Sequence, residues 1–466
     1  MKMKKLKIAL LFFLTLTCLT GCFKDLDDEI GEASLTEIND FIYKGLNIFY
    51  LYKADSPDLE ANLNEGNTQE YTNFLNSYSS PEALFEHLLA DQDRFSFLVS
   101  DYRVLESALN GQSLHNGMEF GLVEIQSTGE IFGYVRYVLP NTSASENNIE
   151  RGMIFNRIDG QEFTESNYQQ LLTPQTYTIG LATFQSGVLT PTEEEITLTK
   201  QEYQENPVYI AKTFEVEGHK IGYLMYNAFT SSFDGELNSA FADFKSAGVQ
   251  DIVIDLRYNG GGSIETSNDL ASMVTGQFEG QLFTTQVYND NFDDQPRLFN
   301  NTISTGRNIN SLNLNKLYVI TTRSTASASE LLLSSLMPYI ETVQVGTTTT
   351  GKFEGSITLY DSNDFTRNGS NFNLGHHYAM QPLILKTVNA QGFTDYVNGL
   401  PPDIEQAEDF ENLGVLGDIN EPLLNTVIND ITGNTSPRPA SSEIITELLF
   451  ESKAKQPTYK RMYVKE

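Results

Sequence analysis

The stretch from Asp251 to Gly276, DIVIDLRYNGGGSIETSNDLASMVTG, constrains the fold of this 466-residue chain more than any other segment. It begins with a continuous apolar run, which is typical of a strand buried in a parallel sheet. The run breaks into three glycines, and a helical pattern follows. Glycines at such a turn allow main-chain N–H groups to approach a bound oxygen anion closely. The segment therefore predicts an α/β core in which a strand-to-helix turn faces an anion.

The sequence does not have the features of a site for a nucleotide phosphate. The glycines lack the wider spacing of a dinucleotide-binding fingerprint. A second segment, GTTTTGK at 346–352, matches the first seven positions of a P-loop and follows the strand-like ETVQV. Position eight is Phe353, so the hydroxyl that would hold magnesium is missing. The continuation EGSITLYDSND indicates a strand and a turn, whereas a P-loop requires a helix there.

The first 22 residues have the features of an export signal. Four lysines precede an apolar run over 8–16 that is too short to cross a ~30 Å hydrocarbon core. The signal ends in Leu-Thr-Gly-Cys22, which resembles a bacterial lipobox and predicts a lipid on Cys22. An ordinary signal peptide that happens to end in cysteine is the alternative. We expect a lipid-anchored protein of the cell envelope, in the outer membrane, on its periplasmic or its surface face.

Composition narrows the possible partners and cofactors. The net charge is −32, and processing at Cys22 would also remove the four signal lysines, so nucleic acid is not an expected partner. The chain has two cysteines, Cys18 and Cys22, and the mature form would keep only the lipidated one. A disulfide or a cysteine-based metal site is then impossible, and we expect no cofactor and no metal.

Residues 34–110 read as helical and residues 115–200 as β-rich. Ser34 and Glu37 have the spacing of a helix cap, and another helix is expected at Ser80-Pro81-Glu82. Further on, FGYVRYVL suggests a strand, and NNIERGMIFNRIDGQEF joins a turn, an apolar strand and an Asp-Gly turn.

The β-rich segment resembles a PDZ domain. The usual GD-x-I-x-x-I-x-G appears as GMIFNRIDG at 152–160, without the aspartate. PDZ domains bind a peptide as an added strand, next to a loop that captures its carboxylate. By this resemblance the loop is NGMEFGL at 116–122, with Phe120, Gly121 and Leu122 as peptide-binding candidates. A small β domain with a purely structural role is the alternative.

The segment STASASELL at 324–332 poses a choice between a helix cap and a nucleophile. Ser327 and Glu330 have the spacing of a capping box. A nucleophilic serine needs a base, and a Ser-His arrangement stays open because such groups assemble in space. A lysine can also serve, if burial lowers its pKa from ~10.4 toward ~7, at a cost of roughly 4 kcal/mol. The chain has five histidines: His87, His115, His219, His376 and His377.

The order and spacing of DLRYNGGG, STASASELLLSSL, GTTTTGK and NGLPPDI resemble the carboxy-terminal processing peptidases, or tail-specific proteases. That family uses a Ser-Lys dyad. The resemblance implies Ser327 as the nucleophile and Lys352 as the base. It also implies an oxyanion hole made by the N–H groups of Ala328 and of a glycine in the pair Gly261 and Gly262. Ser324 or Thr325 is then expected to cap the helix.

The resemblance also implies an α/β fold with a ClpP/crotonase-like catalytic core, a PDZ-like β-rich domain and a helical N-terminal region. Family members often carry GKGxxQ, in which the glutamine orients the lysine; here the segment is GKFEGS, with Ser356 in that place. After residue 405 we predict a helix near 421–432, a loop and a charged helical end. The expected division is a signal peptide at 1–22, an acidic tether at 23–33, a helical domain at 34–110, a PDZ-like domain at 111–203, a peptidase core at 204–405 and a C-terminal helical extension at 406–466.

The resemblance implies a serine endopeptidase that cleaves exported or misfolded polypeptides, recognised in part through their C-termini, by way of an acyl-enzyme. A lipoprotein that binds peptides or small ligands on the same scaffold without cleaving them is the alternative.

Overall fold

A computed structural model describes residues 31–66, 68–434 and 446–464 of the chain. The predicted signal peptide, Cys22 and most of the acidic tether lie outside these described residues. Among the residues that are described, no helix is long and apolar enough to cross a membrane.

The N-terminal region is mainly helical and packs around one apolar cluster. Both predicted helix starts are confirmed: Ser34 and Glu37 form a capping box, and the Ser80 side chain accepts a hydrogen bond from the Ala83 N–H at 3.2 Å. The elements are α1 (Leu35–Phe49), a 3₁₀ turn (Lys53–Asp55), α2 (Pro57–Glu60), α3 (Thr68–Leu75), α4 (Pro81–Leu88), β1 (Phe97–Val99) and α5 (Tyr102–Leu109).

The next region is rich in β structure. Its elements are β2 (Gln112–His115), β3 (Met118–Ile125), β4 (Ile131–Val138), α6 (Ser143–Glu146), β5 (Ile154–Ile158), β6 (Gln161–Glu162), α7 (Tyr168–Leu171), β7 (Thr176–Gln185), β8 (Val188–Thr199) and β9 (Gln201–Gln204). Strands β3, β4, β5, β7 and β8 form one antiparallel sheet in that order. The predicted Asp-Gly turn is confirmed, because Asp159 and Gly160 join β5 to β6 with φ of 49° and 75°.

The core is a mixed α/β unit. Its elements are β10 (Val208–Val216), β11 (His219–Tyr226), a 3₁₀ turn (Ser231–Phe233), α8 (Asp234–Ala247), β12 (Asp251–Asp255), β13 (Gly262–Ser263), α9 (Ile264–Val274), β14 (Leu282–Tyr288), β15 (Gln295–Leu298), β16 (Lys316–Thr321), α10 (Ala328–Leu336), β17 (Glu341–Gly346), β18 (Glu354–Ser356), β19 (Leu359–Tyr360), β20 (Ala379–Gln381), β21 (Leu383–Val388) and β22 (Ile404–Glu405). One sheet has the order β10-β11-β12-β16-β17-β22 and is parallel from β11 onward.

The strand, turn and helix predicted from Asp251 are all present. Strand β12 lies inside the parallel sheet, the glycines follow it, and the Ser263 side chain caps α9 by accepting from the Thr266 N–H at 3.2 Å. The segment that imitates a P-loop leads into strand β18 and not into a helix, as the sequence indicated.

The C-terminal part is where the structure departs from the predicted helices. The helix near 421–432 is confirmed as α11 (Pro422–Thr432), but the charged helical end is wrong. That part of the chain forms two strands, β23 (Thr446–Glu451) and β24 (Met462–Tyr463). A six-residue segment is too short to be stable as an isolated helix, whereas the edge of β3 offers unpaired backbone groups. Strand β23 pairs antiparallel with β3, and β24 pairs parallel with β13 and β18.

Candidate active site

Ser327 stands at the N-cap of α10, with φ of 69° and ψ of −118°. Positive φ is uncommon for a residue other than glycine, and such strained conformations cluster at functional sites. The side chain is fully buried, and its Oγ has no hydrogen-bond partner among the described residues. The expected cap at Ser324 or Thr325 is therefore wrong. The Thr325 hydroxyl instead donates to the carbonyl of Leu256 at 2.8 Å.

Lys352 lies in the loop between β17 and β18 and is also fully buried. Its Nζ has no hydrogen-bond partner in the described parts of the chain and lies 4.5 Å from the centroid of the Phe95 ring. Burial lowers the pKa of this amine well below its usual value, and the nearby Arg461 cation lowers it further. The lysine is thus held toward the neutral form that a general base requires.

The Glu330 carboxylate joins the two candidate residues. One oxygen, Oε2, accepts from the Ser327 N–H at 2.7 Å and from the Lys352 N–H at 2.8 Å. The other, Oε1, accepts from the Gly351 N–H at 2.7 Å and from the Thr349 hydroxyl. Because one oxygen binds both amides, the backbones of nucleophile and base lie side by side. The sequence indicated only the capping role of Glu330, since its other partners lie about twenty residues further along the chain.

The glycine turn lies directly against Ser327. Gly261 has φ of 105°, and a Cβ placed there would stand 2.5 Å from the Ser327 Cβ. A side chain at this position would therefore collide with the candidate nucleophile. The Gly261 N–H donates to Asn259 Oδ1 at 2.8 Å, so this amide is already used inside the turn. Of the predicted glycine pair, the Gly262 N–H is therefore the remaining candidate for an oxyanion donor. Ala328 is the first residue of α10, and its N–H has no acceptor within that helix.

Ser356 makes no hydrogen bond to Lys352, so no contact supports the orienting role predicted for it. Its hydroxyl donates to the Met462 carbonyl at 3.1 Å and approaches Gln381 Oε1 at 3.5 Å. Met462 lies on β24, which pairs with the strand of Ser356, and Gln381 is the last residue of β20, so the Ser356 hydroxyl is already engaged.

None of the five histidines is hydrogen-bonded to the candidate nucleophile, so the Ser-His alternative has no contact to support it. Four of them contact carboxylates, and the fifth packs on a tyrosine ring. The pairs are His87 with Asp58, His115 with Glu119, His219 with Asp251, His376 with Asp361 and His377 with Tyr102.

The predicted peptide-binding residues lie on β3. Phe120 and Leu122 direct their side chains into the apolar core of the β-rich region. A Cβ at Gly121 would stand 2.6 Å from the Tyr134 ring, so this position also faces a packed side chain. Only the backbone groups of these residues lie at the sheet edge, and they pair with β23.

Comparison with known proteins identifies the family. The model of Peptidase family S41 matches residues 220–404, and that of the Peptidase S41 N-terminal domain matches residues 37–97. Carboxyl-terminal-processing proteases of Picosynechococcus sp. and Synechocystis sp. are 29% and 27% identical to the chain over 163 and 181 residues. These stretches cover 35% and 38% of the chain, and only 36% and 39% of the two relatives.

Solved structures agree with the sequence matches. The crystal structure of an S41-type protease from Bacteroides fragilis NCTC 9343 superposes with a TM-score of 0.67 and 26% identity, covering 85% of this chain and 98% of that one. The photosystem II D1 C-terminal processing protease shares the fold, with a TM-score of 0.51 and 18% identity over 84% of this chain and 100% of that one. One S41 model thus spans the glycine turn, Ser327 and Lys352 while a second spans the helical start, and the chain belongs to peptidase family S41, the family of the carboxyl-terminal-processing serine peptidases.

Proposed function

We propose that this chain is a serine endopeptidase in which Ser327 is the nucleophile and Lys352 the general base. The observation that carries the proposal is the Glu330 carboxylate, which binds the backbone N–H of both residues. The Ser327 Oγ and the Lys352 Nζ are also buried without hydrogen-bond partners among the described residues. Leaving a buried polar group unpaired costs about 1–3 kcal/mol, so two such groups on neighbouring backbones call for a reason, and catalysis is the reason we propose.

The proposed reaction follows from this arrangement. As the Ser327 Oγ attacks a peptide carbonyl, the neutral Lys352 amine takes its proton and later returns it to the leaving amine. The N–H groups of Ala328 and Gly262 stabilise the oxyanion, each by roughly 3–4 kcal/mol in comparable sites. Water then hydrolyses the acyl-enzyme and regenerates the serine.

The substrates we propose are exported or misfolded polypeptides in extended conformation. The backbone edge of β3 at Phe120, Gly121 and Leu122 supports this, because a strand edge binds an extended chain through main-chain hydrogen bonds, as it binds β23 in this structure. Recognition of polypeptide C-termini belongs to the same proposal.

The test of the dyad is substitution of each member. We expect Ser327→Ala and Lys352→Met each to lower kcat/KM on an unstructured substrate such as casein by at least about 1,000-fold. The double variant should lose little more, because the two groups act as a unit. Matched controls are Ser335→Ala, another buried serine of α10 whose hydroxyl has no partner in the described parts of the chain, and Lys386→Met on strand β21. Turnover that survives in the Lys352→Met protein would reject the assignment.

We also propose that a lipid on Cys22 anchors the protein in the outer membrane, facing the periplasm or the cell surface. The acidic residues that follow the cysteine would form a solvated tether. Because we attribute membrane attachment to this lipid alone, Cys22→Ser should move the protein from the membrane fraction to the soluble fraction. Recovery of the Cys22→Ser protein with membranes, at the level of the unsubstituted chain, would contradict the anchor.

A further inference from the structure

The first strand of the C-terminal segment 446–464, here called the tail, lies along the edge where a peptide would bind. Strand β23 runs antiparallel to β3. The Ser452 N–H donates to the Phe120 carbonyl at 3.0 Å, and the Phe120 N–H donates to the Ser452 hydroxyl at 3.1 Å. On the opposite side, the Phe450 ring packs on the Tyr168 ring of α7 at 5.5 Å. The tail therefore fills a groove between a strand and a helix, as an added peptide strand does in PDZ-like recognition.

The second strand of the tail enters the candidate active site. Strand β24 lies between β13, which follows the glycine turn, and β18, which follows the candidate lysine. Met462 is paired with Gly262, and its carbonyl accepts from the Ser356 hydroxyl at 3.1 Å. The Val464 N–H donates to the Ser356 carbonyl at 2.9 Å. Strand β24 thus pairs with the backbones of both β13 and β18, and a polypeptide substrate would have to lie in the same place.

The tail also packs against the glycine turn beside the nucleophile. The point that a Cβ of Gly261 would occupy lies 2.5 Å from the Ser327 Cβ and 2.7 Å from the Arg461 carbonyl oxygen. A peptide carbonyl of the tail and the Ser327 side chain therefore both border Gly261, in the turn proposed as the oxyanion hole. Ser327 and Lys352 have no exposed surface. A cavity of about 70 Å³ lies between the glycine turn and the tail; it is too small for a polypeptide, and neither Ser327 nor Lys352 lines it.

Arg461 makes this closed arrangement less stable than it could be. Its guanidinium lies 4.2 Å from the Phe97 ring centroid and donates to the Phe95 carbonyl, but it makes no ion pair among the described residues. Burial lowers its pKa to about 10. The Asp93 carboxylate and the Phe97 ring offset only part of the desolvation penalty of this cation, and the penalty that remains favours release of the segment.

We propose that the tail is a built-in polypeptide ligand of this chain, which occupies both the peptide groove and the cleft over Ser327. It must leave before a substrate can reach the dyad. The inference rests on the proposed peptidase function, and it adds that the site takes an extended polypeptide as a strand between β13 and β18.

The first test displaces the tail by a single substitution in the full-length chain. Met462 is fully buried, so Met462→Glu should expel β24. If the closed form holds about nine-tenths of the molecules, kcat/KM on casein should rise about tenfold. The matched control is Met337→Glu, the same change at an exposed position at the end of α10, which should leave kcat/KM unchanged.

The second test measures binding without catalysis. A fluorescent peptide of residues 446–464 is titrated into a Ser327→Ala chain that ends at residue 445, and anisotropy is recorded. We expect saturable binding, and weaker binding of a peptide with Met462→Glu. If the shortened chain does not fold, the full-length Ser327→Ala, Met462→Glu protein takes its place.

The two tests separate the tail from the peptidase function. Peptide binding without turnover in any variant would reject the peptidase and retain the tail as a ligand. Equal turnover of the unsubstituted and Met462→Glu proteins, with no peptide binding, would overturn the tail proposal and leave the peptidase standing.

Discussion

Lys352 is surrounded by groups that shift its pKa in opposite directions. Burial and the Arg461 cation lower its pKa, while the carboxylates of Glu354, Asp93 and Glu330 act to raise it, and the lowering effects prevail. The Glu330 carboxylate accepts from four donors, three of them backbone N–H groups of the loop and of Ser327, and its raising effect on the Lys352 pKa is outweighed by burial. The same residue can thus position Lys352 without holding it in the charged form.

A lowered pKa of Lys352 has consequences for activity and for stability. Because the base is the neutral amine, log(kcat/KM) should rise with pH through the folded-state pKa, below the usual ~10.4, and then level off. In the unfolded chain the amine binds its proton up to ~10.4, so between the two pKa values the unfolded state holds more protons. This residue therefore destabilises the fold progressively as pH falls from ~10.4 to the lowered pKa.

Urea unfolding of the unsubstituted and Lys352→Met proteins between neutral pH and pH 10 measures the stability effect. The free energy of unfolding should rise more steeply with pH in the unsubstituted protein than in the variant. Parallel slopes would show that Lys352 is protonated in the folded state. A pH profile of activity that changes with His376→Gln and His377→Gln, and not with Lys352→Met, would assign the base to a histidine.

At the scale of the elements, the sequence was informative wherever one segment contains its own signal. The run from Asp251 contains an apolar strand, its glycine turn and a helix start within 26 residues, and all three are present. The sequence also predicted the capped helix at Ser34 and the strand after the false P-loop, because the residues that indicate each of them lie within the same short segment.

What the sequence could not predict depends on partners that are distant along the chain. Strand β23 pairs with β3, more than 300 residues earlier, and main-chain hydrogen bonds leave no signature in residue type. The sequence TELLFE suits a helix end as well as an edge strand, so only the free edge of β3 decides. Two predicted site residues likewise have hydrogen-bond partners that the sequence did not indicate. The Gly261 N–H donates to Asn259, and the Ser356 hydroxyl donates to Met462. The dyad positions themselves followed from the family resemblance.

On the scale of the whole molecule, a buried ionic cluster connects the core, the β-rich region and the stretch before α11. Arg257, which is fully buried, binds Asp255 at 2.8 Å, Glu421 at 2.6 Å and Glu408 at 3.2 Å. Arg151, between α6 and β5, binds the same Glu408 at 2.7 Å. The cluster lies at the DLRYN end of the glycine turn, so it holds the turn in place relative to the other two regions.

Glu408 offers a direct test of this cluster. Burial opposes its charge, but Arg151 and Arg257 prevail and lower its pKa from 4.5 to about 2. That shift corresponds to roughly 3 kcal/mol of stability at neutral pH. A carboxyl with a lowered pKa stabilises the fold above its unfolded value near ~4.3, and this contribution disappears as pH falls toward the folded value.

Glu408→Gln should therefore lower the free energy of unfolding at pH 7 by about 2–3 kcal/mol, and it should flatten the loss of stability between pH ~4.5 and ~2. Urea denaturation at a series of pH values measures both effects, with Glu405→Gln on the exposed strand β22 as the control. An acid limb that is equally steep in the Glu408→Gln and unsubstituted proteins would mean that Glu408 is not the group that titrates there. Because the cluster supports the turn beside Ser327, kcat/KM of the Glu408→Gln protein should also fall, while the Glu405→Gln control keeps its activity.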